Sequence, residues 1–297
     1  MRSPANRIAV LALLAAAACG GDGGGGDGNP GVDAAVDGGG DPVDAAGDGW
    51  SRRRALSFVG DDDNTFLERR EPTLRADELE LYYRHRALAV VFRGVRATRS
   101  DPWSTPERVT AIETGRYQIT PKLSADGRSL YFASDGPAEG SADVWVSTRA
   151  SVDAPWGAPD PVPALNSDGH DLGASPCLGA TRFVLESNRE GAYGLYEVAG
   201  GETRPILVGV TAHYPYVTED CLTLYVSAPV DGAQAIHVSR RASVDAAWST
   251  PEVIEELRDA TFDFEAPWAS AAGDHLVFVD SGFRGEPIND FLVESFR

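Results

Sequence analysis

The chain has 297 residues, 42% of them hydrophobic, with 26 basic and 45 acidic side chains and a formal net charge of −19. That length and apolar share support one sizeable hydrophobic core. The acidic balance excludes, as a principal binding mode, electrostatic attraction to nucleic acid or to an anionic lipid surface.

Arg2 and Arg7 precede an apolar run over residues 8–18, eleven residues long, and a spanning helix needs about 20. Residues 1–18 therefore read as a secretory signal peptide. The run ends Ala15-Ala16-Ala17-Ala18-Cys19-Gly20, which resembles a bacterial lipoprotein signal and implies a lipid on Cys19. Ala16 stands where that signal usually has Leu, so ordinary Ala-x-Ala cleavage is the alternative. Gly20, rather than Asp, resembles the pattern that permits sorting to an outer membrane.

Thirteen of the 32 glycines and seven aspartates lie between Cys19 and Trp50. Nothing in that stretch can build a core, so residues 19–50 read as a disordered tether, with a reach of about 30 Å. Calcium binding by the aspartates is the sharper alternative, but neither EF-hand spacing nor a Gly-Gly-x-Gly-x-Asp repeat is present. Asp61-Asp62-Asp63-Asn64 reads likewise as an acidic loop. With the two arginines and seven aspartates set aside, the remainder carries −14 of the −19.

Residues 51–297 contain a tandem repeat. Its clearest copy is Pro121-Lys122-Leu123-Ser124-Ala125-Asp126-Gly127-Arg128-Ser129-Leu130-Tyr131-Phe132-Ala133-Ser134. Pro72, Pro215 and Pro267 lead to Leu81-Tyr82-Tyr83, Leu224-Tyr225-Val226 and Leu276-Val277-Phe278 without a gap. The copy from Pro176 reaches Phe183-Val184-Leu185 only if two turn residues are missing. Repeat starts near 72, 121, 176, 215 and 267 are 49, 55, 39 and 52 residues apart, the range of a four-stranded propeller blade. Each proline, having no N–H for a ladder, is expected to open the innermost strand. Asp126-Gly127 suits the hairpin turn that follows, and the Leu-Tyr-Phe triplet suits a second strand covered on both faces. Third strands follow over residues 88–95, 143–147, 194–198, 235–239 and 290–295.

Three third strands lead into a shared element in which Arg96, Arg149 and Arg241 stand seven residues before Trp103, Trp156 and Trp248. The tryptophans read better as covers for the blade edge, each under its arginine, than as sugar-stacking platforms.

The motif Pro-x-Leu-Ser-x-Asp-Gly-x-x-Leu-Tyr-Phe-x-Ser, followed by Asp143-Val144-Trp145-Val146, resembles the TolB-type, WD-repeat-like β-propeller repeats of bacterial envelope proteins over about residues 55–297. The resemblance implies architecture and frequent use in protein binding or scaffolding, because such propellers serve many roles. The expected fold is an all-β, five-bladed propeller of four-stranded antiparallel blades. Outer strands are available over residues 107–112, 161–165, 205–210 and 252–257, one short of five. The unassigned segment at 55–59 is expected to supply the fifth, closing the last blade and removing a sheet edge.

Cys177 and Cys221 remain once Cys19 is assigned to lipid. An oxidising envelope permits a disulfide. With Cys177 one residue after its proline and Cys221 six after the next, however, the two fall at opposite ends of neighbouring strands. Buried free thiols are the expectation.

Residues just before each proline belong at the channel mouth, where the copies offer Glu71, Gln118, Asp171, His213 and Glu265. The three carboxylates resemble the arrangement of five-bladed glycosidases of the arabinanase type, and a cation between them is a further option. A solvated polar channel is the expectation, because the offsets from proline differ and no arabinanase motif accompanies them. No Gly-x-Ser-x-Gly elbow and no His-Glu-x-x-His pair occurs. The reading is a monomeric, lipid-anchored envelope protein without cofactor or metal. Its partner would be a protein or glycan rather than nucleic acid, and a carbohydrate-active propeller is the alternative.

Overall fold

The computed structural model describes residues 49–50, 53–60, 68–136, 141–259, 262–283 and 290–297. The signal segment, Cys19, nearly all of the tether and the acidic loop 61–64 lie outside the described residues. Residues 46–297 form one compact unit.

That unit is a ring of five four-stranded antiparallel sheets. The chain enters through β1 (Arg54–Ala55). Blade 1 holds β2 (Arg69–Leu74), β3 (Glu80–His85), β4 (Val90–Val95) and β5 (Glu107–Arg108). Blade 2 holds β6 (Ile119–Leu123), β7 (Ser129–Ser134), β8 (Asp143–Thr148) and β9 (Asp160–Pro161). Blade 3 holds β10 (Asp171–Cys177), β11 (Arg182–Ser187), β12 (Gly194–Ala199) and β13 (Glu202–Ile206). Blade 4 holds β14 (His213–Val217), β15 (Thr223–Val230), β16 (Ala233–Arg240) and β17 (Glu252–Val253). Blade 5 is completed from both chain ends, in the order β18 (Phe262–Ala269), β19 (His275–Phe283), β20 (Phe291–Phe296), β1.

The expected closure is present and goes further than one strand pairing. Arg54 and Ala55 pair with Glu294 and Val293, and the Leu56 N–H donates to the Leu292 carbonyl at 2.9 Å. The chain then crosses to blade 1, where Phe58 forms a parallel bridge with Trp103. One short segment thus staples the last blade to the first. Several outer strands are shorter than expected, since β5 and β17 give way to single 3₁₀ turns at Thr110–Ile112 and Glu255–Leu257.

Five hydrophobic clusters fill the five junctions between blades. Every residue of the second-strand triplets, such as Leu81-Tyr82-Tyr83 and Leu276-Val277-Phe278, is buried, as a strand sandwiched between neighbouring sheets requires.

The prolines do not open the inner strands. They lie within them, beside a β-bulge that recurs in all five blades. The residue at the bulge has positive φ each time: Glu71, Thr120, Gly173, Tyr214 and Ala266. Seven residues on, in the hairpin turn, Glu78, Gly127, Ala180, Cys221 and Gly273 have positive φ as well. These two backbone marks align the blades without any gap. They also show that Ala174, not Pro176, is the equivalent of the other prolines. Blade 3 therefore lacks no turn residue relative to the other blades, contrary to the expectation from Pro176.

The same register brings the cysteines together. Cys177 sits three residues past Ala174, at the start of its hairpin turn, not near the strand's beginning. Cys221 occupies the neighbouring blade's turn, so both lie at one end of the ring. They form a disulfide with Cα atoms 5.5 Å apart, contrary to the expectation of free thiols. Beside it the Leu178 N–H donates to the Glu219 carbonyl at 2.8 Å, so covalent and hydrogen bonds join the two turns.

Candidate functional site

The bulge decides which side chains meet in the channel. Two residues before the proline position stand Arg70, Ile119, Leu172, His213 and Glu265, all half-buried, whereas the residues before them in sequence, such as Gln118 and Asp171, are buried. One residue after it stand Thr73, Lys122, Ser175, Tyr216 and Trp268, which line a cavity at the hairpin end. The channel therefore carries two rings. The upper is charged on one side and apolar at Ile119 and Leu172; the lower combines hydroxyls, one lysine and two aromatics.

Bulge residues are held by side chains from the preceding blade. The Thr120 N–H donates to Glu71 Oε2 at 2.6 Å, the Gly173 N–H to Thr120 Oγ1 at 2.9 Å, and the Ala266 N–H to Ser227 Oγ at 3.0 Å. The Tyr214 N–H donates to Glu186 Oε2 at 3.1 Å. A left-handed conformation costs a non-glycine residue about 1–3 kcal/mol, and these bonds stabilise it by satisfying a buried donor.

Of the five expected mouth residues, only His213 and Glu265 reach the upper ring. Glu71 is buried and accepts from Arg84 Nη1 at 3.1 Å besides the Thr120 N–H. Asp171 is fully buried, with Arg189 Nη2 at 2.6 Å and the Ser167 N–H and Oγ at 2.6 and 2.8 Å. Gln118 is buried as well, its backbone N–H donating to the Ala89 carbonyl at 2.7 Å. The expectation of a solvated polar channel is thus wrong for these three. Their polar groups lie inside the blade junctions, where partners from the same or the adjacent blade hold two of them.

His213 Nδ1 lies 2.8 Å from Glu186 Oε1. That hydrogen bond outweighs burial and raises the imidazole pKa above its ordinary value. Glu265 pairs with Arg70 across the junction of blades 5 and 1. Burial outweighs Arg70 and lifts the Glu265 carboxyl above the usual carboxylate range. Arg70 Nε also reaches Asp290 Oδ2 at 3.2 Å. Among the described residues no group of three His, Cys, Asp or Glu is placed to hold a metal ion.

Sequence reasoning missed Glu186 and Lys122, and it reads Arg69-Arg70 as solvated loop charge, whereas both lie on the inner strand β2, Arg69 buried and Arg70 half-buried against Glu265. One signal for Lys122 was available: it is the single lysine of the chain, against 25 arginines. The Arg–Trp element behaves as expected, with Arg96, Arg149 and Arg241 guanidinium carbons 4.2, 4.4 and 4.1 Å from the Trp103, Trp156 and Trp248 ring centroids. Arg149 and Arg241 reach further, to Glu80 and Glu197 of the preceding blades at 2.6 and 2.9 Å. These elements clasp one blade to the next.

No family model matches the chain, and no curated protein matches it in sequence. Solved structures do resemble it. A protein described as TolB from Agrobacterium tumefaciens superposes with a TM-score of 0.51 at 18% identity, over 73% of this chain and 71% of that one. A GH62 hydrolase in complex with xylotriose gives 0.55 at 11% identity, over 81% and 95%. An endo-arabinase from Bacteroides thetaiotaomicron gives 0.54 at 13%, over 80% and 96%. At such identities the likeness carries the fold alone.

Proposed function

We propose that this protein is an exported, lipid-anchored propeller that serves in the cell envelope as a non-enzymatic binding or scaffolding module. One observation carries the non-enzymatic part: among the described residues, the three glutamates at or beside the upper ring are each engaged. Glu71 is held by Arg84 and a backbone N–H, Glu186 by His213 and a backbone N–H, and Glu265 by Arg70. Glycoside hydrolysis uses one carboxyl to protonate a leaving group and another to activate water or attack, and both oxygens of Glu71 and of Glu186 are already occupied by protein donors. Signal segment, Cys19 and tether support the anchored placement, and the charge of −19 favours a neutral or basic partner surface over nucleic acid.

A carbohydrate-active reading keeps one specific support, the Glu265 carboxyl with its raised pKa at the channel mouth, which is the property of a general acid. Two experiments test the proposal. Cys19→Ser should shift the protein from the membrane to the soluble fraction or block its processing, and unchanged membrane association would remove the anchor. A screen of glycan hydrolysis should give no turnover; an activity abolished by Glu265→Gln would overturn the non-enzymatic reading.

A further inference from the structure

The single lysine of the chain is 2% exposed and points into the channel rather than to solvent. Lysine is among the residues least often buried without a partner. Among the described residues the Lys122 ammonium makes no hydrogen bond or ion pair; the Tyr216 ring lies beside it, with the centroid 5.9 Å from Nζ. Glu71 and Glu186 act on it only from a distance, because each is already held by other donors. Burial lowers its pKa to about 8, and those two glutamates oppose the shift. The group is therefore mostly charged at neutral pH and lacks a counter-ion in contact.

The surroundings are those of a small anion site. Thr73 Oγ1 accepts the Leu123 N–H at 3.0 Å and Ser175 Oγ accepts the Val217 N–H at 3.0 Å. With an oxygen lone pair of each so engaged, both hydroxyls have their hydrogen left to donate. Tyr216 and Trp268 provide apolar wall, and Ala76, Ala125 and Ala271 form an exposed, low rim. The cavity volume is about 40 Å³, about a quarter of the roughly 150 Å³ of a cavity that admits benzene. That holds a carboxylate head with a short apolar tail emerging toward the rim. It is too small for a sugar ring. A single ammonium matches a monoanion, whereas a dianion would leave one charge uncompensated in a buried site.

We propose that the hairpin end of the channel binds a small organic monocarboxylate, with Lys122 as counter-ion and the Thr73 and Ser175 hydroxyls as hydrogen-bond donors. This site lies in the ring opposite the one that holds His213 and Glu265, and it does not depend on the scaffolding proposal.

Propionate is the probe, propionamide its neutral counterpart of the same shape, and chloride at equal ionic strength the control for salt. The full chain at pH 7 is treated with trinitrobenzenesulfonate, and modification at Lys122 is read by mass spectrometry of the only lysine-bearing peptide. Propionate should protect Lys122 saturably and raise the thermal midpoint, while propionamide and chloride do neither. Lys122→Met should abolish the thermal effect. Should that variant fail to fold, Ser175→Ala in the same assay should weaken propionate binding about tenfold, the worth of one hydrogen bond to a charged group. Equal behaviour of propionate and propionamide, protection matched by chloride, a propionate response retained in Lys122→Met, or unchanged affinity in Ser175→Ala would each overturn the proposal.

Discussion

Reduction of the Cys177–Cys221 bond should lower stability by an amount set by the loop it closes. The two cysteines are 44 residues apart in sequence, and cross-linking a loop of that size removes about 4 kcal/mol of chain entropy from the unfolded state. For a domain of this size each kcal/mol moves the thermal midpoint about 2–4 °C, so the reduced protein should melt about 8–16 °C lower. Comparing oxidised and reduced forms of one sequence leaves core packing nearly constant, which a Cys→Ala comparison would not, since both cysteines are buried. The assay is equilibrium unfolding in guanidinium with and without a phosphine reductant, in a Cys19→Ser background. A thiol titration of the denatured protein should find none before reduction and two afterwards. Two free thiols in the unreduced protein, or a stability loss below about 1 kcal/mol, would refute the argument from loop closure.

Phe58→Ala should cost about 3–5 kcal/mol, because Phe58 is buried at the seam between blades 5 and 1, packed edge-on to Tyr83 and under Arg69. Val59→Ala, one residue along but 52% exposed, should change stability by less than about 0.5 kcal/mol in the same chemical denaturation. Asp171→Ala should destabilise by about 3–5 kcal/mol by leaving the Arg189 guanidinium without its counter-ion, and a melting curve unchanged from wild type would contradict the buried pairing. His275 is the pH-sensitive element of the seam, with Nδ1 2.8 Å from Glu78 Oε2 and Nε2 3.1 Å from Glu294 Oε2. Burial opposes its charge, but the bonds to Glu294 and Glu78 outweigh burial and raise its pKa. Its contribution is thus complete below the unfolded value of about 6.5 and is lost as pH rises through the folded value. Thermal scans from pH 6 to 9 should show a decline that His275→Gln flattens, and parallel profiles would dismiss the seam as its source.

The repeat, the blade count and the closing strand are legible in the order of residues. Those features rest on local chemistry: turn residues at a fixed offset from an apolar triplet, and one outer strand too few. That order also makes the Arg–Trp stack legible, since both partners sit on one loop seven residues apart, though not the reach of Arg149 and Arg241 to the preceding blade. The channel lining and the cysteine pairing are not legible in it, because they depend on contacts between blades. The bulge before each proline depends on hydrogen bonds donated to the blade before it, such as Thr120 to Glu71, and no property of either residue taken singly announces that pairing. Without the bulge the inner-strand register slips. Pro176 then replaces Ala174 as landmark, Cys177 moves to the wrong end of its strand, and the channel ring is drawn through Glu71, Gln118 and Asp171 in place of Arg70 and Lys122. A shift of one residue in a strand turns every side chain to the opposite face. Channel-lining identity is therefore set by contacts between blades that are about 40 to 50 residues apart in sequence, which is why the fold could be read along the chain and the site could not.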